Sequence, residues 1–171
     1  LEEVYGLWQG LGYYTRAHSL HTTAKMIVKD FNGKLPQCKN DMLKLKGIGA
    51  YSAASILALA FNQPETVIDS NVMRIMARLY HLSKPLEDIK AIIRTKAEAL
   101  TSLTRSADYA SAIMDLGAVI CTPKNPQCLI CPWRQACQSW DKDDLELISQ
   151  RQKMLKKEQK SNVYLIFNRT G

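Results

Sequence analysis

Between residues 15 and 31 the apolar positions Leu20, Ala24, Ile27, Val28 and Phe31 recur at three- and four-residue intervals, the period of a helix with one face on a core. Gly33 and Pro36 end that pattern. The spacing predicts a short helix over 41–46, a Gly47-Ile48-Gly49 break and an Ala-rich helix over 50–61. After Asn62-Gln63-Pro64, a brief apolar stretch reaches Asp69-Ser70-Asn71, whose short polar side chains suit the start of a helix running to about 82. Two more helices are expected over 86–100 and 107–120. No alternating apolar and polar run of any length precedes residue 160, so the expected fold class is all-α. Beyond Trp140 the residues turn charged, a helix and linker, and Val163-Tyr164-Leu165-Ile166-Phe167 reads as a strand, which cannot bury itself alone. Both ends therefore read as cut, Leu1 inside a helix and Gly171 at the opening of a further domain.

The 171 residues are 46% hydrophobic, enough for one ordinary domain or two small lobes. A net charge of +7 suits a polyanion, whether nucleic acid or an acidic membrane surface. No apolar run approaches the roughly 18 residues of a span, and nothing at the start resembles a secretion signal. The expectation is an intracellular protein with no membrane partner.

Four of the five cysteines crowd into residues 121–137, which in such a chain points to a metal site rather than a disulfide framework. Cys38 stands apart and reads as an ordinary free thiol. Cys121, Cys128, Cys131 and Cys137 follow a C-x6-C-x2-C-x5-C spacing, and four thiolates in one short loop can converge on zinc or on a [4Fe–4S] cluster. Structural zinc sites pair two close C-x2–4-C units; here only the middle gap is that short, which favours iron–sulfur.

The stretch Leu45-Lys46-Gly47-Ile48-Gly49-Ala50-Tyr51-Ser52-Ala53 sets two glycines between two helices. Glycine allows a tight turn and close backbone approach, and the helix that follows offers unpaired N–H groups to a phosphate. The same pattern is also that of a plain helix–turn–helix connection with glycine caps. Asp69, at the start of the next helix, reads from its position alone as an N-cap.

Taken together, the cysteine spacing, the hairpin and the following Asp resemble the endonuclease III superfamily of DNA-repair glycosylases over roughly residues 5–140. Within it, Leu7-Trp8-Gln9-Gly10-Leu11-Gly12-Tyr13-Tyr14 and Met114-Asp115-Leu116-Gly117-Ala118-Val119-Ile120-Cys121 resemble the MutY-type adenine glycosylases. That resemblance implies a two-lobe helical fold: residues 1–82 as a partial six-helix barrel lobe with a helix-hairpin-helix at about 41–54, residues 83–140 as a cluster lobe, and 141–171 as linker and first strand of a further domain. It implies a [4Fe–4S] cofactor on the four cysteines. It also implies a partner, double-stranded DNA with adenine mispaired with 8-oxoguanine or guanine, met by a monomer in the bacterial cytoplasm or in the nucleus or mitochondrion.

By the same resemblance Asp69 faces the sugar cation of N-glycosidic cleavage and Asn71 holds that carboxylate or a water. Ser70 stands where glycine is usual. Tyr51 replaces the Schiff-base lysine of bifunctional members and lines the sugar pocket, unless it is a half-buried helix residue only. Tyr13, with Leu11, enters the base stack, unless Tyr13 and Tyr14 are an aromatic core pair. Gly47, Ile48, Gly49, Ala50 and Ser52 grip phosphate, and Lys124 and Arg134 add basic contacts from the cluster loop. The family's acid, a Glu, is expected ahead of Leu1. The alternatives are an endonuclease III-like enzyme for oxidised pyrimidines, against which Tyr51 argues, and a non-catalytic DNA-binding module with structural zinc.

Overall fold

A computed structural model of the protein describes residues 1–148, and every regular element among them is helical. The elements are α1 (Glu2–Leu7), α2 (Tyr14–Asp30), α3 (Lys39–Met42), α4 (Ala50–Phe61), α5 (Ser70–Leu79), α6 (Leu86–Leu100) and α7 (Ser106–Asp115), with a π-helical turn, Leu116–Ile120, continuing α7. Two 3₁₀ turns, Cys128–Ile130 and Arg134–Ala136, lie in the cysteine loop. The strand expected at 163–167 falls outside the described residues. Residues 141–148 form turns, and the rest of the helix and linker expected over 141–160 also falls outside the described residues.

Two larger cores organise the described residues, with a small third of Ala58, Val67 and Ala110 between α4 and α7. Met42, Leu45, Ala53 and Leu57 make the first, with Met26 and Ile27 of α2 and its C-cap Phe31 packed on it. The second and larger joins Val72, Ile75, Met76 and Leu79 of α5 to Ile89, Ile93 and Ala97 of α6, and to Ile113, Leu116 and Ile148. Helix α7 links them, packing on α4 and α5 alike. Asn62 fixes that link: it ends α4 in the left-handed region, its Nδ2 donates to Thr104 O (2.9 Å) and its Oδ1 accepts from Ala107 N (3.1 Å) in the first turn of α7.

The face of α2 departs from its apolar pattern. Leu20 and Val28 are more than half exposed, and the buried positions are Ala17 and Thr23. The reason is the neighbour. The backbone at Gly47 comes so near Ser19 that only small side chains fit between, and Thr23 Oγ1 donates to Lys46 O at 2.6 Å. Close approach of the hairpin, not apolar area, sets the rotation of α2 about its axis.

Candidate functional site

The hairpin is built from Leu43 to Gly49. The first of its helices runs over Lys39–Met42 rather than the expected 41–46, because the residues after it close into turns, Leu45 N to Met42 O (3.2 Å) and Ile48 N to Leu45 O (3.2 Å). Gly47 holds φ at +78°, and a Cβ there would lie 2.6 Å from Ser19 Cβ. Both the dihedral and the space require glycine. Gly49, extended, is the N-cap of α4, so Ala50, Tyr51 and Ser52 form its first turn, where backbone N–H groups have no partner within the helix. Tyr51 is half exposed on that turn.

The loop before α2 presents Leu11 and Tyr13 to solvent, 67% and 78% exposed. Trp8 Nε1 donates to Gly12 O (2.9 Å) across the loop, and Tyr13 takes a left-handed conformation, φ 47°, as the N-cap of α2. That conformation is uncommon for an aromatic residue and is held by the loop around it. Tyr14 is paired with Tyr5, edge to face at 5.9 Å, so the pair of adjacent tyrosines is divided, one packed and one projecting.

Asp69 is half-buried and caps α5: Oδ1 accepts from Val72 N at 2.7 Å. Its other oxygen, Oδ2, accepts from Asn71 Nδ2 at 3.1 Å. The Asn71 carbonyl in turn accepts from Arg74 Nη2 at 2.9 Å. Arg74 is buried, and burial lowers its pKa; it is stabilised by donating also to Gly117 O (2.6 Å) and, through Nε, to Cys121 O (2.7 Å). The carboxylate is therefore fixed by a chain of side chains that ends on the backbone of the first cysteine. The sequence reading named Asp69 and Asn71 but passed over Arg74.

One turn further along α5, Arg78 is 1% exposed. It donates to Leu145 O (3.0 Å), Thr122 O (2.7 Å) and Pro123 O (3.0 Å), and its Nη1 lies 3.5 Å from Cys121 Sγ. A buried guanidinium is tolerated here because its fork meets several carbonyls at once. Further ties hold the loop: Gln138 N to Leu79 O (3.0 Å), Gln127 N to Ile120 O (2.9 Å), and His81 Nδ1 paired with Ser139 Oγ (2.9 Å).

Cys121, Cys128, Cys131 and Cys137 are unbridged and half-buried. They line one small cavity with Ile120, Trp140, Leu145, Arg78 and Arg134. Burial, and then the neighbouring thiols, pushes the Cys128 thiol up, and burial does the same to Cys137. A group of thiolates in this apolar pocket thus needs positive charge beside it. Among the described residues no three His, Cys, Asp or Glu side chains are grouped to hold a single ion. Of the two basic residues expected to face DNA from this loop, Lys124 is exposed, whereas Arg134 lies over the Trp140 ring at 4.6 Å.

A glycine hairpin ahead of a carboxylate-capped helix, with only helical elements among the described residues, defines a helix-hairpin-helix protein. The chain belongs to the HhH-GPD superfamily of base excision DNA repair proteins, whose profile matches residues 1–100. It is 36% identical over 140 residues to the adenine DNA glycosylase of Buchnera aphidicola subsp. Baizongia pistaciae, covering 82% of this chain and 40% of that protein. It is 39% identical over 141 residues to the adenine DNA glycosylase of Arabidopsis thaliana, 81% of this chain and 22% of that one. The chain thus spans less than half the length of these curated relatives. Among solved structures it resembles a thermostable thymine-DNA glycosylase, with a TM-score of 0.73, 27% identity, and coverage of 82% of this chain and 66% of that one.

Proposed function

We propose that the protein is a monofunctional DNA glycosylase that hydrolyses the N-glycosidic bond of adenine mispaired with 8-oxoguanine or guanine. The observation that carries this reading is Asp69, held at both oxygens at the start of α5, in a chain similar to adenine DNA glycosylases. In the reaction the C1′–N9 bond breaks with both electrons leaving on adenine, which takes up a proton; water adds to C1′ and loses its own. Positive charge develops on the sugar meanwhile, and a fixed carboxylate stabilises it without having to reorganise. Asn71 orients that carboxylate. Tyr51 stands where a lysine would form a Schiff base, and a phenol cannot.

Leu11 and Tyr13, exposed on a braced loop, suit insertion into the stack when a base is extruded. Gly47, Ile48, Gly49, Ala50 and Ser52 meet the phosphate backbone, with Lys124 as an outlying basic contact. Arg134, being stacked on Trp140, holds the loop's shape more than it reaches for DNA.

The four cysteines fit a [4Fe–4S] cluster: unbridged thiols round an apolar cavity with a guanidinium beside one sulfur. Cys121, Cys128, Cys131 and Cys137 would hold such a cluster, and their bonds to it would tie the loop together.

A single-turnover assay on a duplex with adenine opposite 8-oxoguanine tests the function in the full-length protein. Adenine release, with strand cleavage only after alkali, is the expected result. Release of oxidised pyrimidines instead, with borohydride trapping on the protein, would overturn it. The hairpin is tested separately by Gly47→Ala, whose Cβ meets Ser19 and whose φ is unfavourable. The strain is of the order of 1–3 kcal/mol. Duplex affinity is expected to fall alike for matched and mismatched DNA, with a shallower salt dependence. Unchanged affinity would remove the hairpin from the interface.

A further inference from the structure

Gly117 lies in the π turn, with its backbone against Asn71 and Ile75 of α5. The turn is closed by Cys121 N donating to Leu116 O at 2.7 Å, a bond one residue longer than the α-helical one. Its carbonyls at Gly117 and Cys121 both accept from Arg74, at 2.6 and 2.7 Å. The backbone at Gly117 is not left-handed, so conformation does not explain the glycine; space does. A Cβ would stand 2.5 Å from Asn71 Cβ, and 3.2 Å from both Asn71 Cγ and Ile75 Cδ1. The Ile75 methyl can rotate away. The Asn71 Cβ cannot, because it is bonded directly to the first turn of α5, which also carries Asp69 at its cap.

We propose that Gly117 is a positioning residue for the Asp69 carboxylate. Its missing side chain lets α5 settle against the π turn, and this depth of packing is what allows Asn71 to bridge Asp69 and Arg74. An added methyl must lift the first turn of α5 or turn Asn71 aside, and either change moves Asp69 relative to the sugar. The proposal rests on the reading of Asp69 given above.

The test is a mutant cycle in the full-length protein, with Gly117→Ala, Asn71→Gly and both together. Gly117→Ala is expected to slow single-turnover adenine release by about tenfold or more while duplex affinity stays within about threefold. It should also lower the melting temperature, and this loss should largely vanish in the Asn71→Gly background, where the opposing Cβ is gone. That second readout needs no turnover. If Gly117→Ala is recovered only as aggregate, the double variant is expected to be soluble, and its loss as well would refute the proposal. So would a Gly117→Ala rate within about threefold of wild type, or a melting shift that is the same with and without the Asn71 side chain. Asp69→Asn measured alongside separates the two failures. An active Asp69→Asn overturns the underlying reading, whereas an inactive one beside an unimpaired Gly117→Ala overturns the role of Gly117 alone.

Discussion

Replacing Asp69 by Asn is expected to reduce adenine release by at least ~100- to 1,000-fold, the usual scale for losing one preorganised electrostatic group at a developing charge. The fold should survive. An Asn side chain still offers an oxygen to Val72 N, and Asn is as good an N-cap as Asp. The loss has two parts that the geometry separates. The charge facing the sugar disappears. In addition, the oxygen that accepted from Asn71 Nδ2 becomes an amide donor, so two donors face each other. Asn71 cannot resolve this by flipping, since its NH₂ would then face Arg74 Nη2. A melting temperature near wild type with the rate lost identifies Asp69 as the group acting on the sugar. Retention of wild-type single-turnover rates would reduce it to a helix cap.

What could be read from the sequence follows what local chemistry marks. Helices α4 and α6 begin and end at the expected residues because Gly49, Asn62 and Pro85 punctuate them. Helix α5 stops at Leu79, short of the expected 82, because Leu82 N folds back to Ala77 O at 2.7 Å with His81 in the left-handed conformation. Histidine in that place carries no signal of a helix end, as glycine would. The π turn occupies residues read as the continuation of a helix; apolar spacing over five residues cannot tell the two windings apart. The face of α2 was set by contact with a hairpin distant in sequence, which no local period records.

The site divides in the same way. Asp69, Asn71, the hairpin and the cysteines were legible because each is a residue type at a diagnostic spacing. Arg74 and Arg78 were not, although a signal was present: two arginines four apart in a helix whose other residues are mostly apolar, where a buried cation must find partners. Those partners are carbonyls of the loop beyond residue 120, and no sequence pattern announces which carbonyls turn inward. Gly117 carries no signal beyond the family motif in which it stands; its reason lies in a contact with Asn71 across 46 residues of chain, 117 less 71.

Arg78→Met is expected to be the most destabilising change outside the apolar cores. Methionine approximates the stem and removes the fork, leaving carbonyls at Thr122, Pro123 and Leu145 without their donor. A buried acceptor left unpaired costs about 1–3 kcal/mol. The loop is only half-buried, so water can reach some of them, and a total of ~2–4 kcal/mol is expected, a fall of roughly 5–15 °C in melting temperature. Charge adds a second effect. Arg78 favours the ionised form of the Cys128 thiol, which burial pushes up, and without it that thiol loses the cation. On the proposed cluster assignment, the purified variant should therefore retain less iron than wild type. Arg78→Lys separates the two effects, because an ammonium keeps the charge but cannot span three carbonyls with one planar fork. It should recover iron retention more fully than stability. If Arg78→Met melts within about 2 °C of wild type and keeps its iron, the loop is held by its cysteines alone, and the bonds from Arg78 are incidental to it.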